Sequence, residues 1–218
     1  METLGEIYNK DKRLVLTPTF LSSYGVSRLL KEINLAQEWE IGEIEKTNNI
    51  NMNNLLICET GDIILGGVGI ITPKNLNHTT ATNKARIKRK ISLGKFGLLR
   101  EGDIIIAPVR IYQKKIGVIT KSATKFLFSK DFIVLRRKKT NLEESFSLFL
   151  SLIQDANIKQ LESISTIGKK GYPKIKNKEK ILQVKFYKIE TPTQKITELI
   201  ELYDRIYRDI FLKLYSVF

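Results

Sequence analysis

The segment "LLREGDIIIAPVRIYQKKIGVI" (residues 98–119) decides the predicted fold. Gly102 and Asp103 form a turn signal, and the three isoleucines directly after them are typical of a strand that is buried on both faces. The continuation of this strand carries three cations, Arg110, Lys114 and Lys115. The segment therefore predicts a rigid apolar strand that presents positive charge where it ends.

Similar short apolar segments dominate the chain before its helical part. A second Gly-Asp turn, at Gly61 and Asp62, separates the apolar runs 55–58 and 63–65, and the glycines after it predict a strand bend or a tight turn. Further strand-like patterns occupy residues 13–20, 126–136 and 181–189. Residues 22–39, in contrast, have apolar side chains at helical spacing and predict a helix.

After residue 139 the apolar spacing becomes helical. Asn141 is a preferred N-cap residue, and Glu143 and Glu144 suit the first turn of a helix, where the dipole favours negative charge. The apolar stripe of this helix consists of Phe146, Phe149, Leu150 and Ile153. The pattern predicts a helix that ends near Asp155, with an extension to Leu161 left open.

The last 28 residues predict one long helix, capped by Thr191 with Pro192 in its first position. One apolar stripe consists of Ile196, Leu199, Tyr203, Ile206 and Ile210. A second stripe consists of Ile200, Tyr207, Phe211 and Leu214. Because a surface helix needs only one apolar stripe, we expect this helix to pack against a partner helix through the first stripe. Burial on its own domain fits the pattern equally well.

The charge of the chain indicates a polyanionic partner. The 218 residues include 37 Lys and Arg against 23 Asp and Glu, which gives a formal charge of +14. Nucleic acid is the first candidate for the partner and an anionic membrane the second, while a merely solvated basic surface is the alternative. Apolar residues make up 42% of the chain, so a substantial core is expected.

Few residues are suited to catalysis. The chain has one cysteine, Cys58, and one histidine, His78, which we expect in a surface loop. Neither cysteine–histidine catalysis nor a histidine-based metal site is therefore expected. We also expect no cofactor. Asp62 and Asp103 look like turn residues. A nuclease with a dispersed acidic site around these two residues is kept as one possible functional class. No signal segment or long apolar run is present. We therefore expect a soluble, cytoplasmic protein that does not associate with a membrane.

The basic residues occur in clusters that we expect at strand ends and in loops. One cluster covers residues 136–139, which read "RRKK". The candidates for phosphate contact are Lys84, Arg86, Lys88, Arg89, Lys114, Lys115, Lys169, Lys170 and Lys174. The candidates for base contact are Asn83, Arg110, Tyr112 and Gln113, since arginine is the usual reader of guanine and asparagine or glutamine of adenine.

The order of these segments resembles the target recognition domain of a type I restriction–modification specificity subunit. In that family a Gly-Asp turn opens an apolar strand, and a second strand, a helix, a glycine-containing loop and a long spacer helix follow. The matching segments are residues 102–106, 132–136, 146–150, 168–175 and 181–196, and the likeness covers roughly residues 98–215. The first 97 residues match only loosely.

The resemblance implies an α+β (mixed α/β) fold: a β core with flanking helices over residues 1–190, then a spacer helix over 191–218. It also implies sequence-specific recognition of double-stranded DNA, without a catalytic site, on behalf of a DNA methyltransferase subunit. A homodimer through the C-terminal helix is a further expected arrangement, because the full subunit carries two recognition domains. The alternative is a non-catalytic assembly or adaptor protein of a defence system that uses the C-terminal helix, with DNA binding incidental.

Overall fold

The structure, a computed structural model, describes residues 31–46, 55–168 and 171–215. Its strands are β1 (Lys31–Asn34), β2 (Trp39–Ile41), β3 (Leu56–Cys58), β4 (Lys74–Asn75), β5 (Phe96–Gly97), β6 (Ile104–Ile106), β7 (Ile116–Val118), β8 (Leu127–Ser129), β9 (Ile133–Arg137), β10 (Thr166–Ile167), β11 (Pro173–Lys174) and β12 (Lys185–Lys188). Its helices are α1 (Leu35–Glu38), α2 (Ala81–Ser92), α3 (Leu142–Leu152), α4 (Asp155–Ser163), α5 (Lys180–Gln183) and α6 (Thr193–Tyr215). Three short 3-10 turns occupy Leu76–His78, Ile111–Gln113 and Ser122–Lys125. The predicted α+β class with a long C-terminal helix is confirmed.

The predicted isoleucine strand lies inside an antiparallel sheet with the order β2-β9-β6-β7. Ile105 is paired with Val134 on one side and with Gly117 on the other. The side chains of Ile104, Ile105 and Ile106 are fully buried. A strand with neighbours on both edges and apolar packing on both faces explains why its sequence is continuously apolar.

A second sheet has the order β4-β3-β8-β5, in which β3 and β8 are parallel. Both Gly-Asp turns have the same hydrogen bonds: the aspartate N–H donates to the carbonyl three residues earlier, and the carboxylate accepts from that residue's N–H. These carboxylate bonds measure 2.8 Å from Glu59 N to Asp62 Oδ2 and 2.9 Å from Arg100 N to Asp103 Oδ2. The two turns thus begin equivalent chain reversals, one beside each sheet.

Helix α3 fills the space beside the first sheet. Asn141 caps it by accepting a hydrogen bond from the Glu144 N–H at 3.0 Å, as predicted. Phe146 and Phe149 of its stripe are fully buried, and burial of such a side chain stabilises the fold by about 1.5–3 kcal/mol. The helix ends at Leu152, and α4 begins at Asp155 as a separate element.

Helix α6 packs on its own domain along its first half. Tyr203 and Tyr207 are fully buried and lie edge-on to the aromatic rings of Phe146 and Phe126, with centroid distances of 5.3 and 6.1 Å. The Tyr203 hydroxyl donates to the Val68 carbonyl, and the Tyr207 hydroxyl donates to the Gly69 carbonyl at 3.2 Å. The buried face of α6 is therefore occupied by the chain itself.

Asp204 adds a polar attachment between α6 and the 3-10 turn at Ser122–Lys125. Its carboxylate accepts hydrogen bonds from the Ser122 N–H at 2.7 Å and from the Ser122 hydroxyl at 3.0 Å. Burial raises the pKa of Asp204, but the hydrogen bonds from Ser122, the Thr120 side chain and the charge of Arg208 together outweigh burial and leave the pKa below its ordinary value. The attachment is thus strongest with the carboxylate charged.

Three secondary-structure predictions are corrected by tertiary contacts. Residues 31–34, predicted as part of a helix, form β1 because they pair with β12, where Ile33 lies opposite Phe186. The strand predicted at 181–189 begins only at Lys185, after the short α5. Residues 83–90, expected at a strand end or in a loop, belong to helix α2. The predictions for residues 13–20 and 22–30 lie outside the described residues.

Within the part of the chain that the structure describes, no helix is both long enough and apolar enough to cross a membrane.

Candidate nucleic-acid interface

The connection between β6 and β7 has an unusual backbone. Arg110 and Lys114 both adopt left-handed conformations, with φ of 58° and 53°, on either side of the Ile111–Gln113 turn. Such a conformation costs a side-chain-bearing residue about 1–3 kcal/mol and clusters at functional sites. Ile111 is buried and anchors the turn in the core. The loop is therefore held in a shape that its own sequence does not favour.

The hairpin β10–β11 lies directly against this loop. The Arg110 N–H donates to the Pro173 carbonyl at 3.0 Å, and the Ile175 N–H donates to the Pro108 carbonyl at 3.0 Å. The guanidinium carbon of Arg110 stands 3.8 Å from the ring centroid of Tyr172, a cation–π contact. Two segments that are distant in sequence thus form one surface.

Two further segments, the glycine-rich turn and helix α4, also contact the loop. The Gly66 N–H donates to the Gln113 carbonyl at 2.9 Å, from the glycine-rich turn in which Gly66, Gly67 and Gly69 all have positive φ. This turn confirms the tight bend predicted after Gly61-Asp62. The Lys114 ammonium pairs with the Asp155 carboxylate of α4 at 2.7 Å, and this hydrogen bond lowers the pKa of Asp155. Bracing from several sides keeps the exposed side chains in place.

The exposed side of the loop combines cations with aromatic and apolar side chains. Tyr112 is 49% exposed, Tyr172 is 40% exposed and Ile167 is 70% exposed. Lys174 is exposed on β11, and Lys115 is half-buried at the start of β7. We call the set Arg110, Tyr112, Gln113, Lys115, Tyr172 and Lys174 the Arg110 cluster. Charge beside exposed rings is the combination that nucleic-acid surfaces use for phosphates and bases.

A second group of cations lies on α2, which is anchored to the second sheet. Ile87 of α2 is buried with Ile57, Leu76, Phe96 and Leu127. The predicted site residues on this helix are Asn83, Lys84, Arg86, Lys88 and Arg89. The Arg110 cluster belongs to the first sheet. The predicted cations are therefore carried by two different sheets, on a helix in one case and on a loop in the other.

Glu59 binds two of the α2 cations. Arg86 donates to both of its carboxylate oxygens at 2.9 and 2.8 Å, and Lys90 donates at 3.0 Å. The hydrogen bonds from Arg86 hold the pKa of Glu59 at about 2, below its ordinary value of 4.5, with Lys90 adding to the effect. Lys84 is likewise engaged, by the Asn77 side-chain oxygen at 2.9 Å.

The "RRKK" cluster at residues 136–139 has mainly structural contacts. Arg136 pairs with the buried Asp103, and Arg137 pairs with Glu38 at 3.0 Å. The Lys138 ammonium donates to the carbonyls of Ala36 and Gln37. These cations connect β9 to neighbouring segments, so they are poorly placed to contact a ligand.

The predicted contact residues lie in two groups. The structure brings Arg110, Tyr112, Gln113, Lys114, Lys115 and Lys174 together, and places Asn83, Lys84, Arg86, Lys88 and Arg89 on α2. Lys169 and Lys170 lie outside the described residues. Tyr172 was not among the predicted contact residues. The sequence feature that could have indicated it is an aromatic residue within a basic turn, in the sequence Gly-Tyr-Pro.

The two turn aspartates are paired with cations, and the histidine lies at the surface. Asp62 pairs with Lys74 at 2.5 Å, and Asp103 pairs with Arg136 at 2.6 Å, so each carboxylate is bound by a cation and by its own turn. His78 is exposed, as predicted, and Cys58 is buried with its pKa raised, first by desolvation. Among residues 31–46, 55–168 and 171–215, no three His, Cys, Asp or Glu side chains are grouped so as to hold a metal ion.

The predicted partner stripe of α6 divides into an inner and an outer part. Ile196, Leu199 and Tyr203 are buried, and they pack inside their own domain instead of presenting a surface to a partner. Ile206 and Ile210 are half-buried, and Leu212 beyond them is 55% exposed. Half-buried apolar residues occur in both halves of α6, including Ile200 and Leu202, and Leu212 is the most exposed of those described.

A solved structure has a similar fold. The chain is similar to the HsdS subunit from Thermoanaerobacter tengcongensis with a TM-score of 0.51 and 18% identity, over 85% of this chain and 46% of that chain. A second match comes from a study of "complex assembly and conformational transition of the type I R-M system", with a TM-score of 0.48 and 18% identity, over 85% of this chain and 44% of that chain.

No protein-family model matches the chain, and no curated protein matches it. The chain spans about half the length of the HsdS subunit that it resembles. HsdS subunits are the specificity subunits of type I restriction–modification systems. The resemblance that the order of the sequence motifs predicts is thus confirmed at the level of the fold.

Proposed function

We propose that the chain recognises a specific sequence of double-stranded DNA, as one recognition unit of a type I restriction–modification complex. The observation that carries this proposal is the stacking of Arg110 on the exposed Tyr172, where β11, with the exposed Lys174, pairs with the chain just before the loop of Tyr112. The fold likeness and the formal charge of +14 support it. The chain itself contributes recognition, and catalysis belongs to partner subunits.

Within the Arg110 cluster, two kinds of contact are expected. Lys115 and Lys174 neutralise phosphates, which provides affinity that does not depend on sequence. Arg110 is held at its backbone by Pro173 and at its guanidinium by the Tyr172 ring. A guanidinium positioned in this way presents its remaining N–H groups to a base edge, where it pairs best with guanine. Gln113 is the corresponding candidate for adenine.

We also propose partners for the chain, with support from the fold likeness. The chain spans about half the length of the HsdS subunit, and we propose that it acts together with a second recognition unit. Ile206 and Ile210 of α6, which are one turn apart and half-buried, are the proposed contact for a second copy of the chain or for a DNA methyltransferase subunit. The helix thereby links a DNA-reading domain to the enzyme that acts on the DNA.

The DNA-binding proposal is tested by selecting a preferred duplex from a random pool and titrating the chain against salt. Arg110→Ala should relax the preference at one base pair by about 1–3 kcal/mol. Lys115→Ala should weaken binding to all duplexes alike and reduce the salt slope by about 1. The control is Lys185→Ala, which removes an exposed cation paired with Glu32 on the β1–β12 sheet. A parent chain without any sequence preference would favour the adaptor alternative.

The assembly proposal is tested by sedimentation of the chain, alone and with a methyltransferase subunit. The double substitution of Ile206 and Ile210 by aspartate should abolish association, because it places charge in an apolar contact. Thr197→Asp is the control, since Thr197 is exposed on the same helix. Association that survives the double substitution would exclude this surface.

A further inference from the structure

Helix α2 is exposed on almost every side. Its twelve residues contain five cations and no acidic residue, and Ile87 is the single residue that it buries. Ile87 and the half-buried Ile91 account for the side that packs on the core, but packing does not explain the cations on the other sides. Ile87 and the Glu59 ion pairs attach it to the second sheet along one side only.

The side of α2 opposite Ile87 has a distinct composition. At about 100° per residue, this outer face contains Ala81, Thr82, Ala85, Arg89 and Ser92, all of which are exposed. Arg86 lies on one flank of the face and Lys88 on the other. The centre of the outer face therefore consists of small residues and Arg89. Arg86 and Lys88 lie on its two flanks.

Glu59 determines which of these cations are already paired. It holds Arg86 with two hydrogen bonds and Lys90, one turn later, with a third. Within the described part of the chain, Lys88 and Arg89 have no ion-pair partner, and both are exposed. One flank is thus fixed, while the centre and the other flank are available for a ligand.

We propose that α2 enters the major groove of duplex DNA with its outer face against the bases. Ala81 and Ala85 let the helix approach the base pairs closely, and Arg89 donates to the O6 and N7 acceptors of a guanine. Lys88 contacts the phosphates on its side of the groove, while Arg86 on the other flank stays paired with Glu59. This inference rests on the proposed function, and it adds a second reading element to the Arg110 cluster.

Size and charge support this occupant. A helix with its side chains is about 10–12 Å across, and the major groove of B-DNA is about 12 Å wide. The exposed Lys88 complements the phosphates that border the groove, and Arg89 the acceptors on its floor. Double-stranded RNA does not fit, because its major groove is too narrow and deep for a helix. Asn83, a sequence-based candidate for base contact, lies one turn before Ile87 on the attached side, so Arg89 replaces it in this role.

The experiment uses the full chain and the preferred duplex. Arg89→Ala should reduce discrimination at one guanine by about 5- to 150-fold, and Arg89→Lys should restore only part of it, because lysine lacks the bidentate fork. Ala85→Leu should weaken binding to every duplex, because it adds bulk to the outer face. Ala156→Leu is the matched control on α4, where Ala156 is also exposed, and it should bind as the parent does. Circular dichroism confirms that each variant is folded.

Each result decides one question. If Arg89→Ala and Ala85→Leu keep the parent's affinity and specificity while Arg110→Ala loses them, DNA recognition holds and the groove helix is wrong. If the parent binds double-stranded RNA as tightly as DNA, the major-groove assignment is also wrong. If the parent shows no affinity for duplex DNA at physiological salt, the proposed function fails, and the inference fails with it.

Discussion

Arg136 holds Asp103 through two parallel hydrogen bonds, 2.8 Å from Nε to Oδ1 and 2.6 Å from Nη2 to Oδ2. Asp103 is 1% exposed, and the same carboxylate accepts the Arg100 N–H of its turn. The pair therefore fixes the turn that starts β6 against strand β9. The first arginine of a basic run thus stabilises the fold beneath the candidate interface rather than forming part of it.

Removing one member of this buried pair should destabilise the protein strongly. Asp103→Asn leaves the Arg136 charge without its counter-ion, which typically costs about 3–5 kcal/mol. Urea unfolding measures the change. The control is Asp155→Asn, whose carboxylate is 84% exposed in its pair with Lys114 and should cost less than about 1 kcal/mol. Equal costs for the two variants would contradict the structural role assigned to Arg136.

The Asp155 variant should also change DNA binding. In the parent, Lys114 is paired with Asp155 at 2.7 Å. Asp155→Asn removes the counter-ion, so Lys114 becomes available to a phosphate and the salt dependence should steepen by up to about one unit. Titration at several salt concentrations provides the slope. An unchanged slope would mean that Lys114 lies outside the DNA contact.

The Glu59 ion pairs should make the attachment of α2 dependent on pH. Hydrogen bonds from Arg86 lower the pKa of Glu59 from 4.5 to about 2. A depressed carboxyl pKa stabilises the fold above the ordinary value, and this stabilisation is lost as pH falls through the window from 4.5 to about 2. Urea unfolding of the parent and of Glu59→Gln over this range should show their difference shrinking at low pH. A carboxyl NMR titration with Arg86→Ala should show the Glu59 pKa moving upward.

Gly69 should not tolerate a side chain. Its φ is +76°, and a methyl group on it would overlap the ring of the buried Phe149. Gly69→Ala should cost about 2–5 kcal/mol, because overpacking adds to the cost of a left-handed backbone. Gly61→Ala is the control, since its position has open space and no positive φ. If both variants unfold at the same urea concentration, the tight packing between the glycine turn and α3 is disproved.

The hydroxyl of Tyr203 should contribute measurably to the docking of α6. Tyr203→Phe removes its donation to the Val68 carbonyl and leaves that carbonyl without this donor, at a cost of about 1–3 kcal/mol. Tyr112→Phe, at a residue that is 49% exposed, should change stability by less than about 0.5 kcal/mol. Thermal unfolding compares the two, and a Tyr203→Phe variant as stable as the parent would argue against the buried contact.

Local signals in the sequence determined much of this fold. The isoleucine run after Gly102-Asp103, the Asn141 cap and the apolar stripes of the last helix each depend on residues within one or two turns of the chain. Burial and capping act over that distance, so strand β6 and helices α3 and α6 appear where their patterns predict them. The order of these elements also suffices to predict the fold resemblance that the solved structures confirm.

Tertiary structure alone decided how the charges are used. Residues 31–34 became a strand because β12 offers hydrogen bonds that outweigh a helical apolar pattern. Arg136 and Arg86 meet carboxylates, whereas Arg110 meets the ring of Tyr172. A cation's sequence neighbourhood does not specify which distant segment will fold against it. Ion pairs and stacking act between atoms a few ångströms apart, and only the folded chain brings those atoms together.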